Sequence, residues 1–395
     1  MDRNKLVVTL LCLLISSGIS WLAWRSLRSG GPSVELFQAQ DDTFRDLIEE
    51  YSAEPMQRIR NFADSPLIRY RVPEELAHKF FPLHHPWNAY DPHAYYDHAP
   101  DLNAWRSFKE HPDGGFYMRT NSLGMRCDYE PAAEQPDLRV LVAGDSHIDG
   151  ICNNSEAFSA VAEAQLEQQF PGRSVEVLNG ARGGYSFYNY LGTYEKYAPD
   201  LAPDALIVFV AGSNDLTGVL RLGHLFNRTR RIGGSDEVWD RRDRAIKAAP
   251  DVVGTGPAML YYFKSFPDEI EAAFEFTRQI CEELRRLCER DSVRLIFAFH
   301  PSSNAIGWEN PPEGLATALE ILGLTPEDEA LHDALGARFL AMLDEMGIES
   351  IDLTPAFAGK ADDSWWRTDL HMKPAGQARM VTALMPWLAA SPELR

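Results

Sequence analysis

Four short polar segments of the sequence carry the side chains that ester hydrolysis by a serine requires. Such a reaction needs a hydroxyl nucleophile, a base that takes its proton, a carboxylate that orients the base, and N–H donors for the developing oxyanion. Candidates for these roles occur in Gly144-Asp145-Ser146, in residues 179–184, in Gly212-Ser213-Asn214-Asp215 and in Asp369-Leu370-His371. The segments are far apart in sequence, so the fold has to bring them together.

The candidate residues divide into a catalytic set and an oxyanion set. Ser146 would attack the ester, His371 would act as general base and then as general acid, and Asp369 would hold the other ring nitrogen of the histidine. The backbone N–H groups of Ser146 and Gly184 and the side-chain amide of Asn214 would donate to the oxyanion. The predicted chemistry is acyl transfer through a serine, with no metal or organic cofactor.

Five short apolar runs rich in β-branched residues indicate strands that are buried on both faces. They are residues 138–144, 174–180, 204–212, 292–300 and 349–354. Amphipathic segments between them repeat apolar residues at steps of three and four, as helices do. Alternating strands and helices predict an α/β fold with a mainly parallel five-stranded sheet, in which ligands bind at the carboxyl ends of the strands. Because the polar segments follow the first, second, third and fifth strands, all four are expected at that edge.

The N-terminal part of the chain differs from this alternating region. Residues 6–24 are uncharged and just long enough to cross a bilayer as a helix, and no convincing cleavage site follows them. A transmembrane signal anchor within residues 1–28 is therefore expected rather than a cleaved secretory signal. The catalytic domain would then lie outside the cytoplasm at the cell membrane, in the periplasm if the cell is Gram-negative.

Two regions are expected after the anchor. Residues 29–136 are rich in Pro, His, Tyr and Trp without long-range periodicity, which predicts an irregular membrane-proximal region. Residues 137–395 would form a hydrolase-like domain, with an insertion at about 216–265 that is longer than a crossover needs. An insertion there would overhang the site and could select the substrate.

Charge and cysteine content argue against several classes of ligand. The 58 acidic residues exceed the 38 basic ones and give a formal net charge of −20, so nucleic acid is not an expected partner. The five cysteines show no metal-site spacing. The histidines and aspartates of residues 81–100 lie among prolines, which favours loop packing over metal binding. A disulfide between Cys127 and Cys152 is left open by the sequence, as is the oligomeric state.

The four segments resemble the blocks of a known family. Ser146, Gly184, Asn214 and His371 match in type, order and placement the signature residues of the SGNH, or GDSL-type, hydrolases. Including residues 120–126, 177–186, 351–357 and 369–376, the resemblance covers about residues 120–390 and is to bacterial, membrane-anchored members. It implies a flavodoxin-like three-layer α/β/α fold and an ester hydrolase.

The sequence departs from the family pattern at two places. The last block is usually Asp-x-x-His, whereas Thr368 takes the earlier position here and Asp369 lies two residues before the histidine. The shorter spacing resembles family members that act on envelope polysaccharides, and Asp362 or Asp363 is the alternative orienting acid. The second departure is His147, where many members carry Leu or Phe; it either lines the substrate pocket or fills a helix start.

Other polar and aromatic residues near the segments are given structural roles. Asp145 and Asp215 are expected to tie down backbone N–H groups beside their turns. His300, at the end of the fourth strand, is interpreted as a satisfied core histidine in preference to a substrate contact. Trp365 and Trp366 are interpreted as aromatic packing. None of these residues enters the catalytic set.

The function predicted from these observations is a serine ester hydrolase that acts outside the cytoplasm on an acylated glycan or lipid of the cell envelope. One alternative is an O-acyltransferase that uses the same residues, because a sugar hydroxyl can resolve an acyl-enzyme as well as water can. The other is a catalytically inactive module that binds a glycan, an alternative that the shortened Asp-x-His block keeps open.

Overall fold

A layer of short strands begins the part of the protein that the computed structural model describes, residues 56–229, 236–254 and 256–394. This N-terminal layer consists of three antiparallel strand pairs and one helix. Its elements are β1 (Gln57–Arg58), β2 (Tyr70–Arg71), α1 (Glu74–Phe80), β3 (Asn88–Asp91), β4 (Tyr95–His98), β5 (Asn103–Ser107) and β6 (Gly115–Arg119). Strands therefore pair regularly in the N-terminal layer, a part of the chain in which the sequence shows no long-range periodicity.

The central sheet has five parallel strands, as the sequence predicts. They are β7 (Leu138–Ala143), β8 (Val175–Asn179), β9 (Ala205–Ala211), β10 (Arg294–His300) and β11 (Ser350–Asp352). The strands lie in the order β11-β10-β9-β7-β8, which is the 2-1-3-4-5 order of flavodoxin-like sheets. Every residue of β7, β8 and β9 is buried, because helices cover both faces of the sheet.

Helices connect the parallel strands, which cannot be joined by tight turns. They are α2 (Ser146–Asp149), α3 (Phe158–Gln169), α4 (Phe187–Leu201), α5 (Asp215–Asn227), α6 (Asp236–Ala248), α7 (Pro250–Val253), α8 (Pro257–Ser265), α9 (Asp268–Asp291), α10 (Ser303–Ile306), α11 (Leu315–Leu322), α12 (Pro326–Glu345), α13 (Thr354–Phe357), α14 (Ala361–Ser364) and α15 (Pro374–Leu388). Two short 3-10 helices, Asn154–Glu156 and Pro392–Leu394, accompany them.

A hydrophobic core lies on each face of the sheet. One contains Leu141 and Leu206 with apolar residues of α4, α5, α9 and α12. The other contains Val140 and Ile207 with residues of α3 and α15. Successive side chains of a strand point to opposite faces, so neighbouring residues of β7 and of β9 enter different cores. The result is the three-layer α/β/α arrangement that the resemblance implies.

The N-terminal layer packs on the first of these cores. Its Leu67 and Phe80 belong to the same buried cluster as Leu141 of the sheet. The guanidinium of Arg69 donates to both carboxylate oxygens of Glu195 in α4, at 2.7 Å each. A bidentate pair of this kind is strong and directional. The layer is therefore part of the same folded body as the sheet.

Helices α6, α7 and α8 of the predicted insertion build a hydrophobic cluster with α11, here named the insertion cluster. Its buried members are Ala245, Ile246, Ala249, Val252, Val253, Leu260, Tyr261, Ala318, Leu322, Leu324 and Leu370. Leu370 lies in sequence between the predicted acid and the predicted base. The insertion therefore adjoins the segment that carries both.

The fold class predicted from the sequence includes a transmembrane helix, and the structure contradicts this part of the prediction. No helix within residues 56–229, 236–254 and 256–394 is both long and apolar enough to cross a membrane. The 24-residue helix α9 has the length but carries acidic and basic residues along it, and such side chains are costly in a bilayer. The predicted span, residues 6–24, lies outside the described residues.

The described residues contain neither a metal cluster nor the disulfide that the sequence leaves open. Cys127 and Cys152 are free, buried thiols. No group of three or more His, Cys, Asp or Glu side chains in the described part of the chain could hold a metal ion. His98, from the histidine-rich segment, instead contacts Asp149, with Nε2 2.9 Å from Oδ1.

Candidate active site

Ser146 stands at the carboxyl end of strand β7. It is the first residue of the short helix α2, and Asp145 caps this helix by accepting a hydrogen bond from the backbone N–H of His147 at 2.9 Å. Every residue of the segment 141–150 except Ser146 is buried. The turn from strand to helix therefore leaves this hydroxyl accessible at the edge of the sheet where ligands bind in such folds.

His371 and Asp369 lie next to the hydroxyl of Ser146. The ring Nε2 of His371 is 2.8 Å from Ser146 Oγ. The other ring nitrogen, Nδ1, is 3.2 Å from Asp369 Oδ2, and Asp369 Oδ1 accepts a hydrogen bond from the backbone N–H of His371 at 3.1 Å. One carboxylate thus contacts both the ring and the backbone of the histidine. The shortened Asp-x-His spacing still places an acid beside the base.

The charges of this pair favour a protonated imidazole. Burial by itself lowers the pKa of His371, but the carboxylate of Asp369 outweighs burial, so the pKa is raised above its ordinary value. Burial raises the pKa of Asp369, but the histidine outweighs it, so this pKa is lowered. An ionised acid beside a base of raised pKa stabilises a proton taken from a hydroxyl.

The three predicted oxyanion donors lie at the ends of the adjacent strands β9, β7 and β8. One of them, the amide of Asn214, already donates a hydrogen bond within the protein. Gly184 has φ +82°, and a Cβ there would lie 2.8 Å from Tyr96 Oη, so this position requires glycine. The backbone N–H groups of Ser146 and Gly184 donate to no other group of the described residues. The amide of Asn214 donates one hydrogen bond to Asp145 Oδ2, at 3.2 Å. Its second N–H remains for an oxyanion.

Asp145 and Asp215 hold backbone N–H groups, as predicted. Besides the helix cap made by Asp145, Asp215 Oδ2 accepts from the backbone N–H of Ala211 at 2.7 Å and from Tyr190 Oη at 2.9 Å. Burial raises the pKa of both carboxyl groups, and the charge of Asp145 raises that of Asp215 further. Both side chains are buried under the strand ends, which suits a structural role.

A row of three histidine rings leads from His371 into the protein. The ring centroid of His147 is 5.2 Å from that of His371 and 4.8 Å from that of His300. Burial lowers the pKa of both His147 and His300 to about 3, so the two rings are neutral. Neither ring nitrogen of His147 has a hydrogen-bond partner among the described residues. His147 therefore borders the base, and His300 is only partly satisfied, by a 3.3 Å contact between Nδ1 and the Pro301 carbonyl.

The loop that carries the acid and the base is held from two sides. Leu370, between them, has φ +59° and is buried in the insertion cluster. On the other side, the Glu110 carboxylate accepts hydrogen bonds from the backbone N–H groups of Arg367 at 2.9 Å and Thr368 at 2.5 Å. Glu110 belongs to the loop between β5 and β6, and no sequence pattern there indicates it.

The alternative candidates from the sequence lie outside this arrangement. Asp362 accepts a hydrogen bond from the backbone N–H of residue 309 at 2.9 Å, and Asp363 pairs with Arg379 at 3.7 Å. Trp365 and Trp366 are buried in hydrophobic clusters, as expected for packing residues. Asp369 is therefore the carboxylate of the three that contacts His371.

Comparison with known proteins finds similarity in structure only. No family model and no curated protein matches the chain. The chain is similar to GDSL-like lipases and acetyl xylan esterases. A GDSL-like lipase from Bacteroides thetaiotaomicron is 12% identical over 65% of this chain and 91% of that chain, with a TM-score of 0.34. A catalytic mutant of the acetylxylan esterase Axe2 from Geobacillus stearothermophilus is 12% identical over 67% and 99%, with a TM-score of 0.39.

The likeness is distant, with an identity of 12% in both cases. The contacts within the site therefore indicate its chemistry better than this likeness does.

Proposed function

We propose that this protein is a serine ester hydrolase of the SGNH type. The observation that carries the proposal is the 2.8 Å contact between His371 Nε2 and Ser146 Oγ, backed by Asp369 Oδ2 at 3.2 Å from the other ring nitrogen. A serine that only filled a turn would need neither partner. The same contacts argue against an inactive binding module, because hydroxyl, base and acid follow one another in the order that catalysis requires.

The reaction would proceed in two halves. Ser146 Oγ bonds to the acyl carbon as its proton passes to His371 Nε2, and the carbonyl oxygen becomes an oxyanion. When the oxyanion collapses, the bond to the alcohol breaks and His371 gives the proton to the alcohol oxygen. Water then attacks the acyl-serine and gives a proton to His371, which returns it to Ser146 Oγ as the carboxylic acid leaves.

Asp369 and the N–H donors would support both halves. Asp369 keeps the proton of the neutral imidazole on Nδ1, which leaves Nε2 free to accept from the serine. The N–H groups of Ser146, Gly184 and Asn214 would bind the oxyanion, and one such donor contributes about 3 to 4 kcal/mol to lowering the barrier.

The acyl ester is proposed to be carried by a glycan or lipid of the cell envelope, as the sequence resemblance implies. Action outside the cytoplasm stays a prediction from the sequence. Transfer of the acyl group to a sugar hydroxyl would share the first half of the reaction. Product analysis separates the two activities, because hydrolysis yields free acid and transfer yields an acylated sugar.

The decisive experiment compares the purified wild-type chain with Ser146→Ala. The wild type should hydrolyse 4-nitrophenyl acetate and react with a fluorophosphonate probe, and Ser146→Ala should do neither. Ser159→Ala, which alters a buried serine of α3, is the matched control and should behave as the wild type. Equal rates for wild type and Ser146→Ala would overturn the proposal.

A further inference from the structure

The peptide bond between Gly183 and Gly184 is anchored by a tyrosine of the N-terminal layer. Tyr96, in β4, donates a hydrogen bond from its hydroxyl to the Gly183 carbonyl oxygen at 2.8 Å. Glycine on both sides of this bond would allow the peptide plane to rotate, because no Cβ restricts either residue. Tyr96 therefore selects one of the orientations that the backbone permits.

The anchored carbonyl determines where the Gly184 N–H points. The carbonyl and the N–H of one trans peptide unit lie in a common plane and point in opposite directions. Because the Gly183 carbonyl points to the Tyr96 hydroxyl, the Gly184 N–H points away from it. This N–H donates to no other group of the described residues. The oxyanion donor predicted at Gly184 thus owes its direction to a side chain that does not touch the oxyanion.

The anchored peptide unit lies beside the candidate nucleophile. A Cβ on Gly183 would be 3.7 Å from Ser146 Cβ and 3.7 Å from Asp149 Oδ2. The backbone N–H of Gly183 donates to Asp149 Oδ2 at 3.2 Å, which also fixes the preceding peptide unit. Ser146 and Asp149 are the first and last residues of helix α2. The hydrogen bonds of Asp149 and Tyr96 therefore hold the donor at Gly184 at a fixed distance from the Ser146 hydroxyl.

Tyr96 is itself held in place by its neighbours. Its side chain is buried, and its ring stacks on Phe81 with the centroids 5.4 Å apart. The ring of Tyr185 meets it edge to face at 5.1 Å, and the Tyr185 hydroxyl donates to the Tyr96 carbonyl oxygen. Burial raises the pKa of Tyr96, so its hydroxyl stays protonated and remains a donor at neutral pH.

We propose that Tyr96 is a positioning residue for the oxyanion, because the peptide unit that it anchors presents the Gly184 N–H to the developing charge. This inference rests on the proposed function. A hydrogen bond accepted by a peptide carbonyl also polarises the peptide unit and strengthens its N–H as a donor. Both effects act on charge that develops in the transition state, so they should appear in kcat rather than in KM.

Tyr96→Phe tests the proposal, because it removes the hydroxyl and keeps the ring. On 4-nitrophenyl acetate, kcat should fall by about tenfold to a hundredfold, while KM and the midpoint of the pH profile stay unchanged. The inhibition constant of a trifluoromethyl ketone, which forms a tetrahedral oxyanion on the serine, should rise by a similar factor. Tyr188→Phe is the matched control and should keep wild-type kinetics. Tyr188 lies in the same hydrophobic core, but its buried hydroxyl has no partner among the described residues.

The outcomes separate this inference from the proposed function. A wild-type kcat in Tyr96→Phe would overturn the inference alone. So would a fall in kcat with a raised KM or a moved pH midpoint, which would assign Tyr96 to the packing of the whole site. If circular dichroism shows that Tyr96→Phe does not fold, Tyr185→Phe replaces it. Its kcat should fall by about threefold, because Tyr96 loses one hydrogen bond, and an unchanged kcat there would overturn the inference. A wild type that does not hydrolyse the ester would instead defeat the proposed function.

Discussion

The Glu110 carboxylate accepts a hydrogen bond from the backbone N–H of Thr368 at 2.5 Å, across 258 residues of sequence. This contact joins the N-terminal layer to the loop that carries Asp369 and His371. Leu370 in that loop has φ +59°, a conformation that residues with a Cβ seldom adopt unless their surroundings impose it. The N-terminal layer is therefore one of the parts of the protein that position the candidate base.

Glu110→Ala should slow ester hydrolysis without unfolding the protein. Two backbone N–H groups lose a charged acceptor, and the resulting displacement of the base should lower kcat by about tenfold with little change in KM. Steady-state kinetics on 4-nitrophenyl acetate and the rate of fluorophosphonate labelling measure the effect. Glu130→Ala is the control, because exposed Glu130 also accepts from a backbone N–H, that of Ser122 at 2.8 Å. An equal fall in kcat in Glu110→Ala and Glu130→Ala would contradict a positioning role for Glu110.

The hydrolysis rate should depend on pH through His371, which acts as a base only when neutral. Burial lowers its pKa but the Asp369 carboxylate outweighs burial, so kcat/KM should fall as the pH decreases through a midpoint above the ordinary value of 6.5. Asp369→Asn removes the charge and leaves the burial, so the midpoint should move below 6.5 while the maximal rate drops, by on the order of 10⁴-fold. Asp362→Asn should leave the profile unchanged. If the midpoint moved in Asp362→Asn and not in Asp369→Asn, Asp362 would be the orienting acid.

Asn214→Ala should lower kcat by about a hundredfold to a thousandfold, because the oxyanion loses one of its donors. KM should change little, since the donor acts on charge that develops in the transition state. Asn227→Ala is the control at the other end of α5, where the amide donates to the Gly223 carbonyl at 2.9 Å. If the kcat of Asn214→Ala fell by less than about threefold, the backbone N–H groups of Ser146 and Gly184 would suffice to bind the oxyanion.

Asp149, at the end of α2, should contribute strongly to stability. Its Oδ1 is 2.9 Å from His98 Nε2, and its Oδ2 is 3.1 Å from Arg182 Nη1 and 3.2 Å from the backbone nitrogen of Gly183. Asp149→Asn should lower the free energy of unfolding at pH 7 by about 3 to 5 kcal/mol, because a buried positive charge loses its partner. Urea denaturation measures this. Asp137→Asn, which breaks an exposed ion pair, should leave the free energy of unfolding nearly unchanged.

The stabilisation by Asp149 should persist into acid. Burial raises the pKa of this carboxyl, but His98 and the neighbouring arginines outweigh burial and hold the pKa well below the ordinary 3.8. A depressed pKa in the folded state gives a stabilisation that is fully present above the unfolded value and is lost as the pH falls through the folded value. The difference in unfolding free energy between wild type and Asp149→Asn should therefore decrease only below pH 3.8. A decrease that began near neutral pH would contradict this assignment.

The central sheet can be predicted from the sequence because its long strands are mainly apolar runs that end in a polar block. The N-terminal layer cannot be predicted from the sequence in this way. Strands of two residues, such as Gln57–Arg58, are too short for an alternating pattern, and they are stabilised by distant partners such as Glu195, which binds Arg69. Such contacts form only once the rest of the fold is in place.

The same difference applies to the candidate site. Ser146, Asn214 and His371 can be found because parallel strands bring their carboxyl ends to one edge. Glu110 binds backbone N–H groups, which every residue except proline possesses, so no complementary residue type marks its target in the sequence.

Leu370 links the insertion to the loop that carries the candidate acid and base. Its side chain is buried among α6, α7, α8 and α11 while its backbone spans the interval between Asp369 and His371. In this chain, exchanging the insertion for a foreign one would remove the packing partners of that leucine and loosen the acid and base together. An engineer who exchanges the insertion would have to redesign the acid-base loop with it, because the two regions share one hydrophobic cluster.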